Sequence, residues 1–304
     1  MNNTDNSVDI SLEENKEDSV SAESSSVSSD KPKTKYVILT VTDFIRYGAA
    51  GIFLMIFIVC ACVTVFYLNR YKESSDIYDD IKESVFSEIE ETTEYIDEDK
   101  KEYVFEIGNK IDFDTLLAIN PDVTGWISIP TLGIEYPVVI GTDNEFYLRH
   151  AYNKAESYAG SIYMDHTSNR DWSAQRTIII GHNMNDIDDS MFGSLPKYDK
   201  KDFYQKNDGK NFVYIYTPNG VRVYEIFAVT HSNLFSEQIM FSLSFPTKYT
   251  ITELQEHISA TALYDTGITV NDDDTVLTLY TCILNNDEHY YRLVHTKYIT
   301  TVQQ

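Results

Sequence analysis

Hydrophobic positions along the chain fall into three patterns. From Tyr47 to Asn69, 23 residues carry no charge, bounded by Arg46 and Arg70, and the stretch from Gly51 to Phe66 is almost wholly apolar. At 1.5 Å per residue this run predicts one helix long enough to cross a bilayer. Residues 73–102 then carry 13 acids and three bases, yet Ile77, Ile81, Val85 and Ile89 recur every four residues, as on one helix face. A helical stalk and an extended charged spacer both fit that segment. From about residue 104 the texture changes to short β-branched and aromatic runs: Gly125–Ile129, Ile134–Ile140, Arg176–Ile180, Phe212–Tyr216, Val221–Val229, Thr275–Leu279 and Tyr291–Tyr298. These predict at least seven strands. Pro218-Asn219-Gly220 between the fourth and fifth runs predicts a hairpin. One helix is predicted near residues 250–263, where Thr250 and Glu253 form a capping box and Leu254, Ile258 and Leu263 follow on one face. No internal repeat is visible. Irregular spacing with few helices favours a mainly β domain, a closed or half-closed barrel, over a parallel sheet.

Charge sets the topology. Lys31, Lys33, Lys35 and Arg46 flank the apolar run on its N-terminal side, against Arg70 and Lys72 on the other, so the positive-inside rule puts the N-terminus in the cytoplasm. The run lies far from the start and ends Tyr-Leu-Asn-Arg rather than in an Ala-x-Ala-like site, so it reads as a retained anchor and not a cleaved signal peptide. Residues 1–35 are rich in Ser, Glu and Asp and cannot repay the entropy of ordering. The expected division is a disordered cytoplasmic tail over 1–46, a transmembrane helix over 47–69, an acidic stalk or helical linker over 70–104, and an extracellular domain over 105–304. Composition adds two points. With 23 Tyr and 15 Phe against two Trp, the chain favours β-structure. With 24 basic and 48 acidic residues, its net charge of −24 excludes nucleic acid as a partner.

The chemistry rests on a cysteine. Cys60 and Cys62 lie inside the membrane run, which leaves Cys282 as the only thiol of the outer part, unable to form an internal disulfide. Cys282 follows Thr278-Leu279-Tyr280-Thr281 at a strand end, and Arg292 comes ten residues later, after a polar turn at Asn285–Glu288. His182 ends another apolar run, Ile178 to Gly181. A thiol needs a base or cation beside it, an imidazole relays protons, and a guanidinium stabilises an oxyanion. Each residue also has a bland reading: a buried small hydrophobe, a histidine at a sheet edge, a solvated arginine. His231, at the end of the fifth run, is the rival base. No HExxH or Cys/His ligand spacing occurs among the other histidines, so neither a metal nor a cofactor is expected. Asp186, Asp188 and Asp189 read as a solvated loop rather than a cation site.

At these residues the sequence resembles the sortases, membrane-anchored cysteine transpeptidases of Gram-positive bacteria, and most closely class B. Thr278-Leu-Tyr-Thr-Cys282 matches the TLxTC motif, Arg292 stands at the usual distance, and Gly181-His-Asn-Met184 matches the histidine motif. Asn120–Trp126, Tyr136–Val139, Asp143-Asn144 with Tyr147-Leu148, Gly160–Asp165 and Ser190–Leu195 are similar to class B segments, as is the helix before the cysteine strand. The resemblance covers roughly residues 105–300. It implies a sortase-type closed eight-stranded β-barrel with a few peripheral helices, preceded by the transmembrane helix. It further implies that Cys282 attacks a Thr–Gly-type bond of an LPxTG-like or class B sorting signal, that His182 is the proton carrier, and that Arg292 holds the carbonyl or oxyanion. A peptidoglycan stem or cross-bridge amine would resolve the acyl-enzyme. Asn144, Leu148, Tyr280 and Thr281 would line the substrate groove, and Tyr280 departs from the Ser common in this class. The expected partners are surface proteins with a C-terminal sorting signal and the membrane, through residues 47–69. Pilin polymerisation and an inactive peptide- or wall-binding ectodomain are the alternatives. The lack of a second apolar span after Ile299 favours wall anchoring over polymerisation.

Overall fold

The computed structural model describes residues 40–98, 100–184, 188–233, 249–283 and 290–303. The acidic tail and the Asn285–Glu288 turn expected from sequence lie outside the described residues. The chain divides into two compact units, residues 1–57 and 58–304. Helix α1, Val41–Val85, is 45 residues long, and it is the one helix among the described residues long and apolar enough to cross a membrane. In the first unit its Ile52, Phe53, Leu54 and Met55 side chains are all exposed.

In the second unit the last turns of α1 are not a free stalk. Ile81 and Val85 of the stripe that the four-residue spacing predicts are buried in the domain core, Ile77 is only partly buried against it, and Tyr78, outside that spacing, is buried with them. Each buried side chain of this size contributes roughly 1.5–3 kcal/mol. The Tyr78 hydroxyl donates to the Gly160 carbonyl at 2.6 Å. The helix stops at Val85, so Ile89 falls in a strand instead: β1 (Phe86–Ile96) pairs antiparallel with β2 (Glu102–Ile111). The boundary drawn at residue 104 therefore lies inside β2. There, Tyr103, Phe105 and Ile107 are buried while Glu102, Val104 and Glu106 face water. This is a period-two pattern that the surrounding acids obscure. Both the stalk and the extended-spacer readings miss the hairpin for that reason.

The core of the unit is a closed eight-stranded barrel in the order β10-β8-β7-β3-β4-β5-β6-β9. Its strands are β3 (Val123–Ile129), β4 (Ile134–Ile140), β5 (Ile162–Met164), β6 (Arg176–Ile180), β7 (Phe212–Thr217), β8 (Gly220–Asn233), β9 (Val276–Ile283) and β10 (Tyr290–Val302). All seven predicted runs are strands. The eighth, β5, has three residues, too short to show alternation. Thr217 pairs with Gly220 across the predicted turn, closing the β7–β8 hairpin. Two neighbouring pairs are parallel, β4 with β5 and β6 with β9; the others are antiparallel. Short helices α2 (Phe113–Ile119) and α3 (Lys201–Lys206) lie between strands. Helix α4 (Ile251–Thr261) begins with the predicted capping box, Thr250 and Glu253 each accepting the other's backbone N–H. It buries Ile251, Leu254 and Ile258 against Phe227, Ala228 and Val276 of β8 and β9. Leu263, expected on that face, lies past the helix end and is exposed; its backbone N–H donates to the Val229 carbonyl instead, at 2.9 Å.

Candidate active site

The register of one strand pair brings the two motifs together. β6 and β9 run parallel with a constant offset of one hundred residues, Arg176 facing Val276 through Ile180 facing Tyr280. Carried two residues past the last pair, the same offset sets His182 beside Cys282 at one rim of the barrel. Side chains at i and i+2 share a strand face, so each residue lies on the face that Ile180 and Tyr280 already occupy. Hydrogen bonds extend the pairing past the regular ladder. Gly181 N–H donates to the Tyr280 carbonyl at 3.1 Å, Thr281 Oγ1 donates to the Gly181 carbonyl at 2.8 Å, and Asn183 Nδ2 donates to the Cys282 carbonyl at 2.8 Å. Phe192 N–H donates to the His182 carbonyl at 3.0 Å. Gly181 has a steric reason: a Cβ there would lie 2.7 Å from the Phe192 ring.

Cys282 and His182 open onto one cleft of about 380 Å³ with Asn144, Leu148, Tyr163, Asp165, Ile180, Tyr280, Thr281 and Tyr291 among its lining residues. The His182 Nε2–H donates to the Leu148 carbonyl at 2.8 Å. That bond assigns the proton of the neutral ring to Nε2 and leaves the Nδ1 lone pair as the base. Leu148 is itself held from below. Tyr147 donates its hydroxyl proton to Asp122 at 2.8 Å and receives a bond from Asn120 Nδ2 at 2.8 Å. Asp143 accepts the N–H groups of Glu145 and Phe146, both at 2.9 Å. Gly160, at φ +60°, lets the next segment pass where a Cβ would lie 2.7 Å from the Tyr147 and Leu148 carbonyls. Asn144 has both ends committed: Nδ2 donates to Asp165 at 2.7 Å and Oδ1 accepts the His166 N–H at 2.9 Å. Thr281 lines the cleft, but its hydroxyl is spent on Gly181. Tyr280 stacks on Tyr291 with ring centroids 4.8 Å apart and planes 17° off parallel, forming an aromatic wall.

Burial controls the charges. Desolvation pushes the Cys282 thiol up. Desolvation also lowers His182, outweighing the opposing Leu148 hydrogen bond. Thiol and imidazole are therefore both neutral in the resting cleft at neutral pH.

Arg292 takes a different position. Across the β9–β10 pair, Cys282 faces Tyr291, whereas Arg292 faces Thr281. Arg292 is buried and is not among the residues that line the cleft. Its Nε donates to Asp199 Oδ1 at 2.5 Å and its Nη2 donates to Asp199 Oδ2. His231, cross-strand from Arg292, lies 3.1 Å from the same Oδ1 through Nε2. The cleft thus takes His182 and not His231. Tyr163, Asp165, Tyr291 and Asp199 were not singled out from the sequence as site residues. Tyr291 was accessible from strand alternation beside Arg292, but Asp199, distant in sequence, carries no local signal. Among the described residues no group of three or more His, Cys, Asp or Glu side chains is placed to hold a metal. In the loop read as solvated, Asp188 accepts the Ser190 N–H at 3.0 Å and Asp189 pairs with Lys197 at 4.0 Å; Asp186 lies outside the described residues.

Residues 127–298 match the Sortase domain family. Sortase B of Listeria monocytogenes is 30% identical over 179 residues, 59% of this chain and 70% of the relative. Sortase B of Staphylococcus aureus is 26% identical over 170 residues, 56% of this chain and 67% of the relative. Among solved structures, Clostridium perfringens sortase B matches at a TM-score of 0.54 with 30% identity, over 62% of this chain and 100% of that one. Sortase B of B. anthracis in complex with AAEK1 matches at 0.58 with 25% identity, over 77% and 99%.

Proposed function

Because the chain belongs to the sortase family, in class B, and is a cysteine transpeptidase, we propose that it cleaves the C-terminal sorting signal of surface proteins and transfers them to a peptidoglycan amine. The observation that carries this reading is the in-register placement of His182 and Cys282 on one cleft. In the proposed mechanism the Cys282 thiol gives its proton to His182 Nδ1, and the thiolate attacks the carbonyl carbon of a Thr–Gly-type bond. The tetrahedral intermediate collapses as the imidazolium protonates the leaving amine, which leaves a thioester on Cys282. An incoming amine of the stem or cross-bridge attacks the thioester, its proton passes to His182, and the thiol is restored. Arg292 supports the negative charge on the carbonyl oxygen. Its Nη1 is buried and has no hydrogen-bond partner among the described residues, and an unmet buried donor costs about 1–3 kcal/mol unless a partner arrives. Leu148, Tyr280 and Tyr291 form the apolar walls for the signal peptide, with Asn144 and Thr281 bracing the walls. Residues 47–69 anchor the enzyme as a single span, with the N-terminus in the cytoplasm and the catalytic domain outside.

The test is acyl transfer by the full chain in detergent on a panel of fluorogenic sorting peptides, with Cys282→Ala and His182→Ala alongside. Cleavage lost in both variants, and a thioester mass on the Cys282 peptide, are the expected results. No cleavage of any LPxTG-like or class B peptide, with or without an added amine, and an unmodified thiol overturn the reading.

A further inference from the structure

The Arg292 guanidinium is not free to turn. A two-point fork to Asp199 uses Nε and Nη2, and the arginine side chain is only 4% exposed. Planar bidentate pairing fixes both the distance and the plane of the group, which a single contact does not. The carboxylate comes from the end of the 3₁₀ turn Leu195–Asp199. Tyr198, beside Asp199, anchors that turn: it is fully buried, its hydroxyl shares a 2.7 Å hydrogen bond with Thr131, and its carbonyl accepts the Tyr264 hydroxyl at 2.7 Å. The clamp on Arg292 therefore belongs to the core and not to a loose loop.

The clamp also changes the electrostatics. An unpaired buried guanidinium beside the rim of β9 would draw the Cys282 thiol toward thiolate, whereas the arginine is cancelled at its source. Among the described residues, the titratable groups facing Asp199 and Arg292 are His231 on β8 and Tyr264 after α4. Among the described residues, those that line the cleft with Cys282 are His182, Tyr163, Tyr280, Tyr291 and Asp165. Burial opposes ionisation of Asp199, but the bonds from Arg292 and His231 prevail and hold its carboxyl below the usual range.

We infer that Asp199 is the positioning residue of Arg292: its carboxylate fixes the plane of the guanidinium and offsets its charge, leaving Nη1 as the one end without a partner among the described residues. The inference rests on the assignment of Arg292 given above, and Asp199 acts only through it.

The test compares Asp199→Asn, Asp199→Glu, Arg292→Ala and the Asp199→Asn/Arg292→Ala double variant in the full chain in detergent. Two readouts are used: iodoacetamide labelling of the Cys282 peptide against pH, read by mass spectrometry, and kcat/KM on the cleaved sorting peptide. Thermal melts confirm folding. For scale, a unit charge about 10 Å from any thiol, at an effective dielectric near 20, shifts it by about one pH unit. Asp199→Asn is expected to lower the labelling midpoint by that amount, and the double variant to return it to the Arg292→Ala value. Asp199→Asn is expected to cut kcat/KM by about 100-fold, Asp199→Glu to recover part of the loss, and Asp199→Asn to cost nothing further once Arg292 is gone. A labelling midpoint unmoved by Asp199→Asn, an equal or faster enzyme, or the same loss in the Arg292→Ala background overturns the inference. Wild-type activity in Arg292→Ala overturns the assignment of Arg292 itself, which separates the two failures.

Discussion

Gly181 offers a sharp test of how the histidine is delivered. A Cβ at this position would lie 2.7 Å from one Phe192 ring carbon and 3.1 Å from two others, roughly 0.7 Å inside an ordinary carbon–carbon contact. Phe192 is fully buried and its backbone N–H holds the His182 carbonyl, so neither ring nor strand end moves freely. Gly181→Ala is therefore overpacking in a close-packed site, which costs about 1–3 kcal/mol. For a unit of this size that is a fall of about 2–4 °C in Tm per kcal/mol. The catalytic cost is separate. His182 is the next residue, and a displacement of the order of 1 Å lowers kcat/KM by up to about 100-fold. Phe192→Leu removes the ring atoms in the way, at its own cost of about 1–2 kcal/mol. The double variant is expected to recover at least 1 kcal/mol of the summed loss and most of the lost kcat/KM. The assays are thermal melts of all four proteins and peptide cleavage kinetics. Additive losses in the double variant, or a Gly181→Ala enzyme with unchanged Tm and kcat/KM, would refute the packing argument.

The pH profile follows from the neutral pair. Burial lowers His182 and raises Cys282, so the acid limb of kcat/KM is expected below pH about 6.5 and the alkaline limb above about 8.5, with a flat top between; a limb inside that window contradicts the assignment. Stability at low pH follows from His295, which is fully buried between Thr230 and Thr278, each 3.1 Å away, with burial depressing its pKa to about 3. A histidine whose folded value lies below its unfolded one contributes fully above pH about 6.5 and loses that contribution as the pH falls toward 3, so pH 4.5 costs roughly 2–3 kcal/mol. Urea melts at pH 7, 5.5 and 4.5 check this slope, which His295→Asn is expected to flatten; equal slopes for both proteins count against it. Tyr280→Ser removes half of the stacked wall, which costs about 0.5–1.5 kcal/mol beyond lost burial. It is also expected to raise kcat/KM for peptides with a bulkier residue beside the scissile bond, read on a matched peptide pair; unchanged relative rates mean that the ring does not shape the groove.

Much of this architecture is legible where local rules decide. The β7–β8 hairpin follows from Pro218-Asn219-Gly220 and α4 from its capping box, because turn and cap chemistry act over a few residues. The pairing of His182 with Cys282 was suggested by motifs, but its cause, the parallel β6–β9 register, is a contact a hundred residues apart that no window of sequence contains. The hairpin β1–β2 was hidden because acids at Glu102 and Glu106 sit on the solvent face of an otherwise regular alternation with Tyr103, Phe105 and Ile107. Asp199 was hidden for the opposite reason. It looks like any surface acid at the end of a polar turn, and only the return of β10 beside β8 brings Arg292 and His231 to it.

Parallel pairing also explains why the chemistry sits at this rim. In an antiparallel pair the C-terminal end of one strand lies beside the N-terminal end of its neighbour, so two strand-end residues would stand at opposite rims. A parallel pair puts both C-terminal ends at one rim, and β6 and β9 are such neighbours. Parallel neighbours need a long crossover, and the chain between residues 180 and 276 supplies it with the β7–β8 hairpin, the turn bearing Asp199, and α4. The same excursion that makes the parallel pair possible therefore also delivers the carboxylate that clamps Arg292.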